Sequence, residues 1–309
     1  MNTHQTDRTA LQKKIRKLID DRSGIILAHN YQPPEIQDVA DLCGDSLELS
    51  IKASRTEAEV IVFCGVHFMA ETAAILCPNK KVLLPVPDAG CPMADMITGQ
   101  ALRDLRKTIA DTAVISYVNT TAEVKAESDL CCTSANAIQV AGSVAPGTGI
   151  FMTPDRNLAQ YTRKHCDREI RYWNGYCPVH DALTPGQVRK VRKEHPEALF
   201  LAHPECPPEV LELADKVRST SGMLAEVSGS DHEEFIIGTE TGLLYPMAKA
   251  NPDKVLIPAD PGMVCGEMKK IRLEDVVRAL ETLQPEVNVP EEIRVKAKRA
   301  VDRMLDIPR

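Results

Sequence analysis

Gly24-Ile25-Ile26-Leu27-Ala28-His29-Asn30-Tyr31, Ala113-Val114-Ile115-Ser116-Tyr117-Val118-Asn119 and Leu199-Phe200-Leu201-Ala202-His203-Pro204-Glu205 follow one pattern. Each is a short apolar run that stops at polar residues able to do chemistry. His29, Tyr117 and His203 occupy matching places, 88 and 86 residues apart. Tyr31, Asn119 and Glu205 repeat those offsets, and so do Ser46, Ser134 and Thr220. Cys91, Cys177 and Cys265 recur at nearly the same interval, 86 and 88 residues. Four sets of positions in register are hard to attribute to chance. An internal repeat settles the architecture before any single element is assigned.

Working outward, the first unit holds predicted strands at 25–28, 60–64 and 82–85, with a fainter one near 38–43. The third unit echoes the last two at 235–238 and 254–258. Continuous apolar runs of this length, with helical patterns between them, indicate strands buried on both faces of a parallel sheet. Helices are expected at 69–76 and 208–214, and crossovers in such units wind right-handed. The predicted fold class is α/β: three pseudo-threefold-related α/β/α domains, each with a small parallel sheet, around a central site. The expected divisions are 1–98, 99–183 and 184–268, followed by C-terminal helices in 269–309 that pack back on the repeat. Leu11, Ile15, Leu18 and Ile19 make a helical apolar stripe at the amino end. At the other end, Ile271–Val277 and Pro290–Ile293 each open a helix. Ligands bind at the carboxyl ends of strands in such sheets. The recurring polar residues fall there, which places them in one shared site.

Composition narrows the function. The 309 residues carry a net charge of −7, against a nucleic-acid or membrane-surface partner. Hydrophobic content of 43% suffices for well-buried cores. Met1–Arg8 contains no apolar leader-like run, and no apolar stretch reaches membrane-spanning length. The expectation is a cytoplasmic protein.

In such a compartment ten cysteines are poorly explained by disulfides, and no pair has Cys-x-x-Cys spacing. Cys43, Cys64, Cys77, Cys131, Cys132, Cys166 and Cys206 are out of register and read as small buried hydrophobes. Cys91, Cys177 and Cys265, one per unit, read as three ligands of a metal cluster with one vacant position. Zinc fits less well, because a structural zinc site closes its fourth ligand. Iron–sulfur suits widely separated thiolates.

The chain also resembles the quinolinate synthase family, the A protein of bacterial NAD biosynthesis, over nearly its whole length. The matching stretches include Leu27-Ala28-His29-Asn30-Tyr31-Gln32, Gly44-Asp45-Ser46-Leu47-Glu48-Leu49-Ser50, Ala89-Gly90-Cys91-Pro92-Met93-Ala94-Asp95 and Tyr117-Val118-Asn119-Thr120-Thr121-Ala122-Glu123. Trp173-Asn174-Gly175-Tyr176-Cys177-Pro178-Val179-His180, His203-Pro204-Glu205-Cys206 and Ile237-Gly238-Thr239-Glu240-Thr241-Gly242 follow in order. The resemblance implies condensation of iminoaspartate with dihydroxyacetone phosphate to quinolinate, with loss of phosphate and water. It implies a [4Fe–4S] cluster with three cysteine ligands and one open iron acting as a Lewis acid. A transient link to the enzyme that makes iminoaspartate is a further expectation. Some relatives carry extra cysteines near the third ligand. Gly262 and Met268 stand there in this chain, so no regulatory disulfide is expected in that segment.

Roles follow for single residues. Glu205 suits a general base beside a carbonyl; its bland reading is a solvated loop carboxylate. His29 and His203 can donate to substrate oxygens or shuttle protons, where a lone histidine is more often structural. Tyr31 and Tyr117 can hold and protonate oxygens, or merely pack. Asn119 can orient a carboxylate. Ser46, Ser134 and Thr220 can open helices whose N-termini hold anions, or can be simple caps. His180, three residues after Cys177, can face the cluster. Gly238–Gly242 reads as a turn before a phosphate loop. The competing functions are an aconitase-like iron–sulfur hydro-lyase, an iron–sulfur redox sensor and a zinc scaffold.

Overall fold

Each opening apolar run forms the central part of its own sheet. The protein, a computed structural model describing residues 3–307, contains three four-stranded sheets in which every pair is parallel. Met1, Asn2, Pro308 and Arg309 lie outside the described residues, and with them the start of the Met1–Arg8 stretch considered above. The first sheet comprises β1 (Gly24–His29), β2 (Leu42–Gly44), β3 (Val60–Cys64) and β4 (Lys81–Leu83), in spatial order β2-β1-β3-β4. The second repeats that order with β5 (Thr112–Tyr117), β6 (Leu130–Cys132), β7 (Gly149–Thr153) and β8 (Ile170–Tyr172). The third does so with β9 (Leu199–Ala202), β10 (Lys216–Val217), β11 (Glu234–Gly238) and β12 (Val255–Pro258). Registers match as well: Gly24 faces Val60, Thr112 faces Gly149 and Leu199 faces Phe235.

The physical reason lies in the inner strands. All five residues of β3 are buried, as are five of the six in β1, so neither face tolerates polarity. One apolar core runs through the first and second sheets, with Leu27, Ile61, Phe63, Ile115 and Met152 among its members. The outer face of the third sheet has its own, around Val188, Phe200 and Ile236.

Two expectations need correction. The fainter strand near 38–43 is only Leu42–Gly44, because Pro34–Gln37 is a helical turn whose tail runs on through Ala40. The helix at 208–214 ends at Leu211. There the backbone tightens: Leu213 N–H donates to Val210 O and Ala214 N–H to Leu211 O, which delivers Asp215 to the sheet.

Outside the repeat, the helix Thr3–Asp21 packs on Leu273–Thr282 and on β1. The helix Glu291–Leu305 packs on Ala122–Ala126, β6 and His67–Leu76, bridging the first and second lobes. Among the described residues no helix is long and apolar enough to cross a membrane.

Candidate active site

The strand ends build the site. His29 is the last residue of β1 and Tyr117 the last of β5, while His203 directly follows β9. Tyr31, Asn119 and Glu205 stand two residues further on. All six line one cavity, together with Ser46, Ser134, Thr220, Cys91, Cys177 and Cys265. The cavity has a volume of about 70 Å³. The structure therefore brings together every residue that the repeat singled out for binding, catalysis or metal ligation.

The helix openings differ from the simple capping alternative. Asp45 caps the helix Ser46–Arg55 by accepting from the N–H groups of Leu47 and Glu48, and Ser46 is its first residue. Ser219 caps Thr220–Gly229, with Thr220 again first. Ser46 and Thr220 are thus not the caps. In the second lobe the helix Ala137–Ser143 begins later, after Asn136, and Ser134 lies in the turn before it.

Glu205 is the centre of the polar network. Its Oε2 lies 2.7 Å from His180 Nδ1 and 3.8 Å from His203 Nδ1, all nearly fully buried. The His180 and His203 rings stack with centroids 4.6 Å apart. His180 Nδ1 also lies 3.2 Å from Cys177 Sγ, and its Nε2 lies 2.8 Å from Thr239 Oγ1. Thr239 Oγ1 in turn meets the Tyr31 hydroxyl at 2.5 Å. A continuous chain of polar contacts therefore joins a cysteine of the second lobe to a tyrosine of the first.

The protonation states follow from this packing. Burial works to raise the Glu205 carboxyl, but His180, His203 and the hydrogen bond from Tyr117 outweigh it and hold it down at about 2. Burial lowers His29 to about 3, assisted by the Lys269 charge. Burial also lowers His203 to about 3, opposed only in part by Glu205. Burial and Glu205 push the Tyr31 and Tyr117 phenols up. At neutral pH the site therefore offers an ionised carboxylate, two neutral imidazoles and two phenols that keep their protons. Asn119 Oδ1 is buried without a hydrogen-bond partner among the described residues, an acceptor aimed where a ligand can satisfy it.

Whether the cysteines fit a cluster turns on the donors. Cys91, Cys177 and Cys265 come from three lobes, and burial raises all three thiols, Cys91 to about 12. Cys91 is raised further by Cys265, and Cys177 by Cys91, as expected of sulfurs converging on one space. Binding a metal there displaces their protons. Cys177, His180 and Glu205 also have ligand atoms within 4.8 Å of one another. Their polar atoms, however, already satisfy one another and Thr239, so that trio reads as a hydrogen-bonded network. Three sulfur donors with no fourth cysteine at the cavity fit an iron–sulfur group with one open corner.

The family described as quinolinate synthetase A protein matches residues 13–306. The chain belongs to the quinolinate synthase family. It is 53% identical to the quinolinate synthase of Geotalea uraniireducens over 97% of this chain and 98% of that one. It is 52% identical to that of Geobacter metallireducens, with the same coverage. The quinolinate synthase of Methanoregula boonei is 51% identical over 97% of this chain and 99% of its own.

Several residues of this quinolinate synthase family member escape the repeat. Asp155 and Glu240 stand two residues after β7 and β11, and each accepts the N–H of a cavity cysteine: Cys177 at 3.2 Å and Cys265 at 3.1 Å. The corresponding place in the first lobe is Val66, so no threefold signal points to them. In the phosphate-loop alternative for 238–242, the N–H donors of the turn itself are already committed. Thr241 N–H goes to Met263 O, Gly242 N–H to Glu240 Oε2 and Leu243 N–H to Glu240 O.

Proposed function

We propose that the protein condenses iminoaspartate with dihydroxyacetone phosphate to quinolinate, releasing phosphate and water, with a [4Fe–4S] cluster held by Cys91, Cys177 and Cys265. The observation that carries this reading is the meeting of one cysteine from each lobe with an ionised Glu205 in a single buried cavity. When bound, the cluster supplies a Lewis acid at its open iron, which eases loss of hydroxide without redox change.

The protein's own groups account for the rest. Glu205 is ionised and can take a proton from carbon next to a carbonyl. Tyr31 and Tyr117 keep their phenolic protons and donate to developing negative oxygen. Neutral His29 and His203 each present one donor and one acceptor nitrogen to carboxylate or carbonyl groups. Ser46 and Thr220 begin ten-residue helices, whose N-terminal dipoles favour the anionic ends of both substrates. Asn119 Oδ1 can accept from the substrate imine N–H. Burial of these groups keeps water from a hydrolysable imine. The same lability favours direct hand-over from the enzyme that produces iminoaspartate.

The test is anaerobic purification with iron and sulfide counting, followed by a quinolinate assay on the two substrates. Cys91→Ser, Cys177→Ser and Cys265→Ser should each abolish activity and lower bound iron. Cys64→Ser, inside β3 and fully buried, should keep both. Equal tolerance of all four changes refutes the ligand set.

A further inference from the structure

Glu240 has no exposed surface, yet it carries two oxygens with three donors around them. Oε1 accepts from Cys265 N–H at 3.1 Å and from Lys269 Nζ at 2.8 Å. Oε2 accepts from Gly242 N–H at 2.7 Å. Lys269 Nζ also donates to Tyr31 O, in the first lobe. The space is closed: a Cβ on Gly242 would come within 2.6 Å of Lys269 Nζ and 2.7 Å of both Glu240 Oε2 and Tyr31 O. The other two cysteine loops are held by related bonds. Cys177 N–H donates to Asp155 Oδ2, and Gly90 N–H, next to Cys91, donates to Glu267 Oε2 at 2.7 Å.

We propose that Glu240 is a positioning residue that fixes the Cys265 loop in its ligating pose and ties that loop through Lys269 to the backbone of Tyr31. This rests on the cluster reading above. A carboxylate is required because both oxygens face donors. Glutamine would turn its NH₂ toward at least one N–H, losing that bond and leaving two donors opposed. It would also leave the Lys269 charge without its partner. The expected consequence is graded: the Cys265 loop loosens first, the Cys91 loop follows because its Gly90 N–H is held by Glu267 two residues after Cys265, and the Cys177 loop keeps Asp155.

The test uses holoprotein under argon. Glu240→Gln is challenged with an iron chelator, iron release is followed by absorbance, and freed thiols are trapped with iodoacetamide and mapped by mass spectrometry. Iron release should quicken about tenfold, with Cys265 alkylated ahead of Cys91 and Cys177. Asp129→Asn is the control, because Asp129 also accepts a backbone N–H, from Val114 at 2.8 Å, but belongs to the sheet edge and not to the cavity. It should release iron at the wild-type rate. Glu240→Asp keeps the charge for Lys269 and cannot reach all three donors; it should give an intermediate rate, and it serves if the glutamine variant does not fold. Equal acceleration at all three cysteines, wild-type kinetics in both Glu240 variants, or the same acceleration in Asp129→Asn overturns the proposal. Wild-type protein without iron overturns the cluster reading and this inference with it, whereas iron-loaded wild type with unchanged Glu240 variants overturns this inference alone.

Discussion

At the scale of single residues, the site stores its chemistry as charge states that water would not allow. His29 and His203 are held neutral because a buried imidazolium would lack solvation, and Glu205 is held ionised by donors that surround it. These shifts link to stability. In the unfolded chain both histidines take a proton near 6.5, whereas in the fold they do so only near 3. Between those values the unfolded state binds more protons, so stability is full above pH 6.5 and falls as the pH drops. At pH 5 the loss should be about 2 kcal/mol for each histidine. Glu205 adds to it below about 4.5, where the unfolded carboxyl begins to protonate and the folded one does not. Urea midpoints measured from pH 7.5 to pH 5 should therefore hold down to about pH 6.5 and fall below it. A midpoint flat across that interval would show that the imidazoles are not held neutral.

At the scale of elements, each lobe carries a staple that the recurring site residues did not reveal. Asp41, Asp129 and Asp215, again 88 and 86 residues apart, accept from the central-strand N–H groups of Ile26, Val114 and Phe200 at 2.7, 2.8 and 2.7 Å. Arg16, Arg106 and Arg192, from the helix before each central strand, pair with them and also donate to the carbonyls of Val39, Glu127 and Leu213. These bonds hold the second strand of each sheet, which has only two or three residues and cannot be secured by its ladder alone. That brevity is also why those strands were faint or invisible in the sequence, while β3 and β11 were plain: a strand buried on both faces announces itself by an unbroken apolar run, and a three-residue edge does not. The cavity was legible for a different reason, since pseudo-symmetry repeats catalytic types at fixed offsets. Asp155 and Glu240 were hidden because Val66 breaks their triad. Asp129→Ala removes one acceptor from a backbone donor and one partner from Arg106, and should cost about 1–3 kcal/mol. The check is chemical denaturation, with iron content unchanged because Asp129 is not among the residues lining the cysteines' cavity.

At the scale of the whole molecule, a site assembled from three lobes is only as fixed as the lobes are to one another. Polar bonds between lobes cluster around the cavity. Asn30 Nδ2 donates to Thr220 Oγ1 at 3.3 Å, Ser221 Oγ to Glu48 Oε2 at 2.5 Å, and Asn157 Nδ2 to Glu205 O at 2.9 Å. The apolar counterpart between the first and second lobes is the helix Glu291–Leu305. Ala297, Ala300, Val301 and Met304 on its inner face are fully buried, and Arg303 donates to Asp129 O at 2.8 Å. Cys91 and Cys177 come from the two lobes this helix clamps, although it touches neither cysteine's cavity. Val301→Asp places an unpaired charge in that seam and should cost about 3 kcal/mol or more. Because the three sulfurs must stay in common register to hold one group, the same change should also raise the rate of iron loss to a chelator, even at temperatures where circular dichroism reports a folded chain. Asp129→Ala, which weakens one lobe internally, should lower stability without that second effect. If both variants lose iron in proportion to their stability alone, the seam has no separate role and the lobes hold their geometry without it.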